Sequence, residues 1–191
     1  VLSLRKIAIT GNLASGKSTA ARILQECGAY VVDADEIVHG LLSLNTPTGK
    51  KTVELLGPEI VVGNQIDRRK ISEIVFSDFE KLKSLEKILN PAVKQEIERR
   101  FDLVKNNPSY KMFVAEVPLL YEAGMEKDFD LVIAVIADQA VARQRSITAQ
   151  FDQRWARQHK DKASKADIVI TNNGDLNMLK SSITAIVDQL I

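Results

Sequence analysis

Eight consecutive residues, Gly11-Asn12-Leu13-Ala14-Ser15-Gly16-Lys17-Ser18, match the pattern G-x-x-x-x-G-K-S/T in full, and Thr19 follows at once. The glycines let a backbone wrap closely around phosphate. Successive amides and the N-terminus of a following helix then stabilise the negative charge. In such a loop Lys17 reaches the β and γ phosphates and the Ser18 hydroxyl coordinates Mg2+. A chance glycine-rich turn with a lysine on a solvated helix offers the same letters. It does not offer the setting, in which an apolar strand enters the motif and a helix leaves it. Motors, switches and small-molecule kinases all use this loop. A guanine-specific switch would add Asn-Lys-x-Asp, whereas Asn172-Asn173-Gly174-Asp175 lacks the lysine and has a different spacing. A compact phosphotransferase needs an ATP loop, an acceptor pocket and a basic cover, and 191 residues can supply all three.

Carboxylates stand where such chemistry would use them. Asp33 and Asp35 close the second expected strand, near the edge where α/β sheets bind ligands. If the extended geometry persists, their i,i+2 spacing puts both on one face. Asp35 is then the base for an acceptor hydroxyl and Asp33 its support; the alternative is that both cap a helix starting near Glu36. Glu116 ends the apolar run Met112-Phe113-Val114-Ala115, which fits either contact with a magnesium shell or simple exposure at a strand edge. Val117-Pro118-Leu119-Leu120-Tyr121-Glu122 follows, an apolar turn that either covers an organic acceptor or only packs.

Cations gather late in the chain, at Arg143, Arg145, Arg154, Arg157, Lys160, Lys162 and Lys165. Folded over the phosphates, such a segment excludes water and offsets developing charge. Arg145 and Arg154 are the candidates for that role. An ordinary solvated face accounts for most of the others, since Asp152 and Asp161 are mixed among them. Trp155 reads as core cover in preference to an adenine platform, His39 as a structural or acceptor-side polar group, and His159 as surface.

The elements that must position these residues follow from hydrophobic periodicity. Strands are expected over residues 6–10, 30–32, 111–117, 130–136 and 168–170. In the first, Ile7 and Ile9 alternate into a core. A helix over 17–26 buries Ala20, Ala21, Ile23 and Leu24, and one over 176–190 starts from Asp175 as N-cap. Short helices at 36–44, 48–56 and 70–76 and a longer one at 79–89 fill the middle. Asn90-Pro91 should interrupt that last helix before 92–104, and 61–65 reads as an irregular connection. Charged helices follow from 139 and through the 150s. The fold class is α/β, a parallel sheet flanked by helices.

Composition sets the outer limits. Lys plus Arg is 26 against 25 Asp plus Glu, a formal charge of +1, so no global field points to nucleic acid. One cysteine, Cys27, excludes an internal disulfide framework. Two histidines leave little for a zinc centre. Neither a signal-peptide pattern nor a run of bilayer length is visible, and a cytoplasmic protein with no membrane partner is expected.

The ordered set of motifs resembles the dephospho-coenzyme A kinase family along nearly the whole chain. It comprises Thr10-Gly11 through Ser18, Asp33-Ala34-Asp35, Ile66-Asp67-Arg68, the turn from Val117 to Glu122, Ala166-Asp167-Ile168-Val169-Ile170 and Asn172-Asn173-Gly174. The resemblance implies ATP- and magnesium-dependent phosphorylation of the ribose 3′-hydroxyl of dephospho-CoA, completing coenzyme A. The runner-up is another small-molecule kinase, such as a nucleoside monophosphate kinase. A protein that binds ATP without catalysis, for regulation or interaction, is the reading from a different class.

The family's fold is a P-loop NTPase core with a helical acceptor-side insertion and a lid. Here those fall at 1–35 with 106–191, at 36–105, and at about 145–162, and a monomer is expected. By resemblance Asp35 is the acceptor base, with Lys17 and Arg145 catalytic beside it. Gly11 through Thr19 hold the nucleotide, with Arg154 and Gln158 from the lid's returning arm and Asn172 with Gly174 on the adenine side. Asp33, His39, Asp67, Arg68, Glu116, Leu119 and Leu120 serve the acceptor. Ser18 holds Mg2+, with water-mediated help from Asp33 and Glu116. Departures are Glu116 in place of the usual aspartate, Asn90-Pro91 in place of histidine-proline, and a short lid between Arg145 and Arg154 with Ala149 where a second arginine is usual.

Overall fold

The computed structural model describes residues 4–147, 151–157 and 161–190. They divide into two compact units, Val1–Asp33 with Arg100–Ile191, and Ala34–Arg99. The first unit is built on a five-stranded sheet in the order β2-β5-β1-β6-β7, every pairing parallel. Strand β1 is Arg5–Gly11, and α1, Lys17–Glu26, follows the phosphate loop. Strand β2 is Ala29–Asp33.

Simple alternation in β1 does not hold. Ile7, Ala8 and Ile9 are all 0% exposed and Thr10 is buried too, because a central parallel strand is covered on both faces. Lys6, in the same strand, is also buried, its ammonium 5.5 Å from the Phe101 ring centroid and 4.9 Å from that of Phe129.

In the second unit α2 is Ala34–Leu41 and α3 is Pro47–Leu56. Thr46 caps α3 by accepting from the Gly49 amide at 2.9 Å, and Pro47 occupies its first turn, where the missing N–H costs nothing. The connection expected to be irregular is a two-stranded antiparallel hairpin, β3 (Val61–Val62) with β4 (Gln65–Ile66). Its turn uses Asn64 and Gly63 at positive φ, which two adjacent tolerant residues allow. Helix α4 is Arg68–Ser77. Leu42, Leu56, Ile60, Ile71 and Leu85 form this unit's core.

Helix α5 runs unbroken from Phe79 to Val104 with Pro91 inside it, against the expected interruption. Pro91 removes one backbone donor. The apolar stripe Leu85, Leu89, Val93, Ile97, Phe101 nevertheless keeps its spacing of four straight through the proline, and Val93 and Ile97 are buried. Each buried side chain contributes about 1.5–3 kcal/mol. Together they outweigh a proline cost of about 3 kcal/mol.

The first unit resumes with β5 (Met112–Glu116) and β6 (Leu131–Ile136), then α6 (Gln139–Arg145), α7 (Phe151–Arg157), α8 (Lys162–Lys165), β7 (Ile168–Thr171) and α9 (Leu176–Leu190). Leu179, Ile183 and Val187, one stripe of α9, join Ala20, Ala21, Ile23 and Leu24 of α1 over the sheet residues Ile7, Ile9, Val114, Ile133 and Val135. Asp175 caps α9, accepting from the Met178 amide at 2.9 Å. Gln158, His159, Lys160 and Ala149 lie outside the described residues.

Candidate functional site

The phosphate loop spans from the end of β1 to the first turn of α1, and two glycines make its path possible. Gly11 has φ 148°, and a Cβ there would lie 1.8 Å from the Val135 carbonyl oxygen. Gly16 has φ 96°, and its Cβ would lie 2.5 Å from Asn172 Nδ2. The tip is held by side chains. Asn12 Nδ2 donates to the Ala137 carbonyl at 3.1 Å, and the Ala137 amide donates back to Asn12 Oδ1 at 3.2 Å. Asn172 Nδ2 donates to the Ser15 carbonyl at 2.8 Å. Helix α1 starts with no side-chain cap and no acid in its first turn, which suits an anion at its positive end. Lys17 Nζ lies over the loop, donating to the Asn12 carbonyl at 2.9 Å.

The Ser18 hydroxyl donates to Glu116 Oε1 at 2.8 Å. Glu116 is buried and ends β5, and Asp33 of β2 is its partner in the strand register. The structure thus brings Ser18, Glu116 and Asp33 to one end of the sheet. Asp35 does not share the strand. The extended geometry stops at Asp33, and Asp35 sits in the first turn of α2, so the expected one-face acid pair does not form. A carboxylate in the first turn of a helix is favoured by the helix dipole.

Arg145 lies beside the loop. Its Nη1 donates to the Asn172 carbonyl at 2.7 Å and its Nη2 to the Gly174 carbonyl at 2.8 Å. It borders a cleft of about 300 Å³ with Ala14, Gly16, Lys17, Ser18 and Thr19, and another of about 280 Å³ with Asn172, Gly174 and Leu176. Asn172 has a buried side chain whose Nδ2 donates to Ser15, so it supports the loop. Arg154 is exposed on α7. Trp155 stacks on Phe151 with ring centroids 5.3 Å apart, in a cluster that includes Leu13 and Ala14, which gives it the packing role.

In the second unit Arg68 Nη1 lies 3.3 Å from His39 Nδ1, uniting two residues from distant parts of the sequence. Both line a pocket of about 390 Å³ with Asn45, Gln65 and Ile66. Asp67 serves the fold, since its carboxylate accepts from the Arg69 amide at 2.8 Å as the N-cap of α4. Leu120 is 0% exposed and has no surface for a ligand, so of the expected apolar pair only Leu119, 51% exposed, is available.

Lys162, expected on a solvated face, is instead 2% exposed. Its ammonium donates to the Pro118 carbonyl at 2.5 Å and lies 3.3 Å from Glu122 Oε1. Burial holds it below the ordinary lysine range, and Glu122 offsets part of that effect. An unpaired buried ammonium costs several kcal/mol, whereas one hydrogen bond to a charged group returns about 1.5–3 kcal/mol. Both partners are therefore required. No periodicity separates Lys162 from the exposed Lys165 three residues on. Burial also pushes the Tyr121 hydroxyl up, with Asp167 and Glu126 adding to the shift. Among the described residues no group of three or more His, Cys, Asp or Glu side chains could hold a metal, and no helix is long and apolar enough to cross a membrane.

Known proteins resemble this chain from end to end. The dephospho-CoA kinase family model matches residues 5–178. A dephospho-CoA kinase of Protochlamydia amoebophila is 45% identical over 199 aligned positions, covering 100% of this chain and 98% of the relative. One of Chlamydia abortus is 42% identical, covering 96% and 95%. Among solved structures, a Thermus thermophilus protein superposes with a TM-score of 0.83 at 29% identity over all of both chains. A dephospho-CoA kinase from Campylobacter jejuni gives 0.72 at 24% identity over 97% and 96%, and a shikimate kinase from Acinetobacter baumannii gives 0.56 at 14%, likenesses of fold. A phosphate loop braced by Asn12 and Asn172, a parallel sheet in this order and identity sustained over the full length lead to one assignment: the chain belongs to the dephospho-CoA kinase family.

Proposed function

We propose that this protein transfers the γ-phosphoryl group of ATP to the ribose 3′-hydroxyl of dephospho-CoA, giving coenzyme A and ADP in the last step of coenzyme A biosynthesis. The observation that carries the chemistry is the 2.8 Å contact between the Ser18 hydroxyl and the Glu116 carboxylate at the mouth of the phosphate loop. A hydroxyl and a buried carboxylate are hard oxygen donors, the kind Mg2+ takes, and Mg2+ is typically held by one or two protein oxygens with substrate phosphates completing its shell. Ser18 and Glu116 would hold it, with Asp33 beside them. When bound it neutralises charge on the phosphate oxygens.

The chain's own residues do the rest. The loop amides and Lys17 orient the phosphate tail, and Arg145 stands at the border of the same cleft as a counter-charge. Asp35 orients the ribose hydroxyl and takes its proton as the γ-phosphoryl group moves in line. Arg68 and His39, side by side in their pocket, suit the anionic and polar groups of the acceptor. Leu119 offers it an apolar wall. Transfer of this kind asks for positioning and electrostatics more than covalent chemistry.

The test is acceptor-dependent ADP formation from the purified protein with ATP and Mg2+. Dephospho-CoA should support turnover, with the new phosphate on the 3′ position by phosphorus NMR, and nucleoside monophosphates should not. Faster turnover on a nucleoside monophosphate, or ADP release indifferent to any acceptor, would refute the proposal.

A further inference from the structure

Two segments converge on the carbonyl oxygen of Pro118, in the turn after β5. Lys162 Nζ reaches it from α8, and the Thr10 hydroxyl reaches it at 3.3 Å from β1, one residue before Gly11. Pro118 itself lies two residues beyond Glu116. Lys162 also lies 3.3 Å from Glu122, so one buried ammonium holds the turn after β5 at both ends. Between those two points lie Leu119, turned outward, and Leu120, locked into the core. Backbone bonds complete the frame, from the Val117 amide to the Ile9 carbonyl at 2.8 Å and from the Met125 amide to the Leu120 carbonyl at 3.0 Å.

We propose that Lys162 is a positioning residue for the phosphoryl acceptor, acting through the Pro118–Glu122 turn that it fixes and not through ATP. The proposal deepens the function above and rests on the reading of Leu119 as an acceptor wall. A surface lysine could not do this, because its ion pair would be screened and mobile. At 2% exposure the ammonium has exchanged water for two protein acceptors, and the backbone oxygen it grips cannot turn without stranding it. The braces on the phosphate loop at Asn12, Ala137 and Asn172 do not involve Lys162, whose link toward the loop is the Pro118 carbonyl it shares with Thr10. The two substrates should therefore respond differently to its loss.

The experiment compares steady-state kinetics of the unaltered protein with Lys162→Met and with the double variant Lys162→Met/Glu122→Leu. The double variant also removes the carboxylate that Lys162 pairs with, and still lacks the Pro118 donor. The expected result is a KM for dephospho-CoA raised about tenfold in both variants, with the KM for ATP within about twofold. Equal shifts in both constants, or no shift in either, from a variant with native far-UV circular dichroism would overturn the proposal. If Lys162→Met alone does not fold, the double variant decides by the same split. No turnover of dephospho-CoA by the unaltered protein would overturn the acceptor reading and this proposal with it. Turnover without a split in the variants overturns this proposal alone.

Discussion

Ser18 and Glu116, ninety-eight residues apart, meet at 2.8 Å, Ser18 an exposed residue of α1 and Glu116 a buried one at the end of β5. A polar side chain kept from water needs partners, and one partner of Glu116 is the last residue of the phosphate motif. Glu116→Gln keeps the shape and removes the charge. It should raise the Mg2+ concentration for half-maximal activity by about 10–100-fold, read by titrating Mg2+ at saturating ATP. Glu116→Asp should lie close to the unaltered protein. An unchanged magnesium requirement in the Gln variant would remove Glu116 from the site.

Asp35 is the group assigned to the acceptor proton. Asp35→Asn should lower kcat by about 10²–10⁴-fold, the usual range for general base catalysis. ATP affinity, measured by calorimetry, should stay within about threefold, since Asp35 lies outside the loop. Full turnover by the Asn variant would transfer the base role elsewhere.

Gly16 answers two demands at once, a left-handed φ of 96° and a space 2.5 Å from the Asn172 amide. Gly16→Ala should therefore cost about 1–3 kcal/mol of stability from backbone strain, seen as a lowered thermal midpoint. ATP binding should fall further than that, because the Asn172 brace on Ser15 must move. Gly63→Ala is the contrast: φ is 55° but no atom lies within 4 Å, so strain alone acts there.

Lys162 has a pKa held below 10.5 in the folded state. Between that lowered value and 10.5 the unfolded chain binds more protons than the folded one. Its contribution to stability is thus fully present above 10.5 and is lost as pH falls through the folded value. Relative to Lys162→Met, the urea midpoint of the unaltered protein should therefore rise as pH is raised toward 10.5. A fall over that interval would contradict the sign.

Local signals are legible where a single rule governs. Helix α1 can be read at Lys17–Glu26 with its four buried residues, because motif, apolar side and Gly28 stop agree. Helix α9 is equally plain from its stripe and its Asp175 cap. Pro91 misleads, since a local breaker competes with a stripe spaced by four from Leu85 to Phe101, and tertiary burial prevails over propensity. Asp35 is easily misplaced because a strand's end and a helix's start look alike when alanine stands between the acids. Lys162 and Leu120 are beyond reach, since their burial depends on a turn and a helix forty-odd residues apart in the chain. Family resemblance names the acceptor residues, but it does not tell that Asp67 caps a helix while Arg68 meets His39.

The two braces on the phosphate loop, Asn12 to Ala137 and Asn172 to Ser15, both start from chain that directly continues β6 and β7. The register of β6 against β1, with Gly11 opposite Val135, is thereby the ruler against which the nucleotide site is measured. A slip of one residue would turn every side chain of β6 to the opposite face. It would also carry Ala137 out of step with Asn12. Strand residues that no substrate meets are in this sense part of the enzyme's grip on ATP.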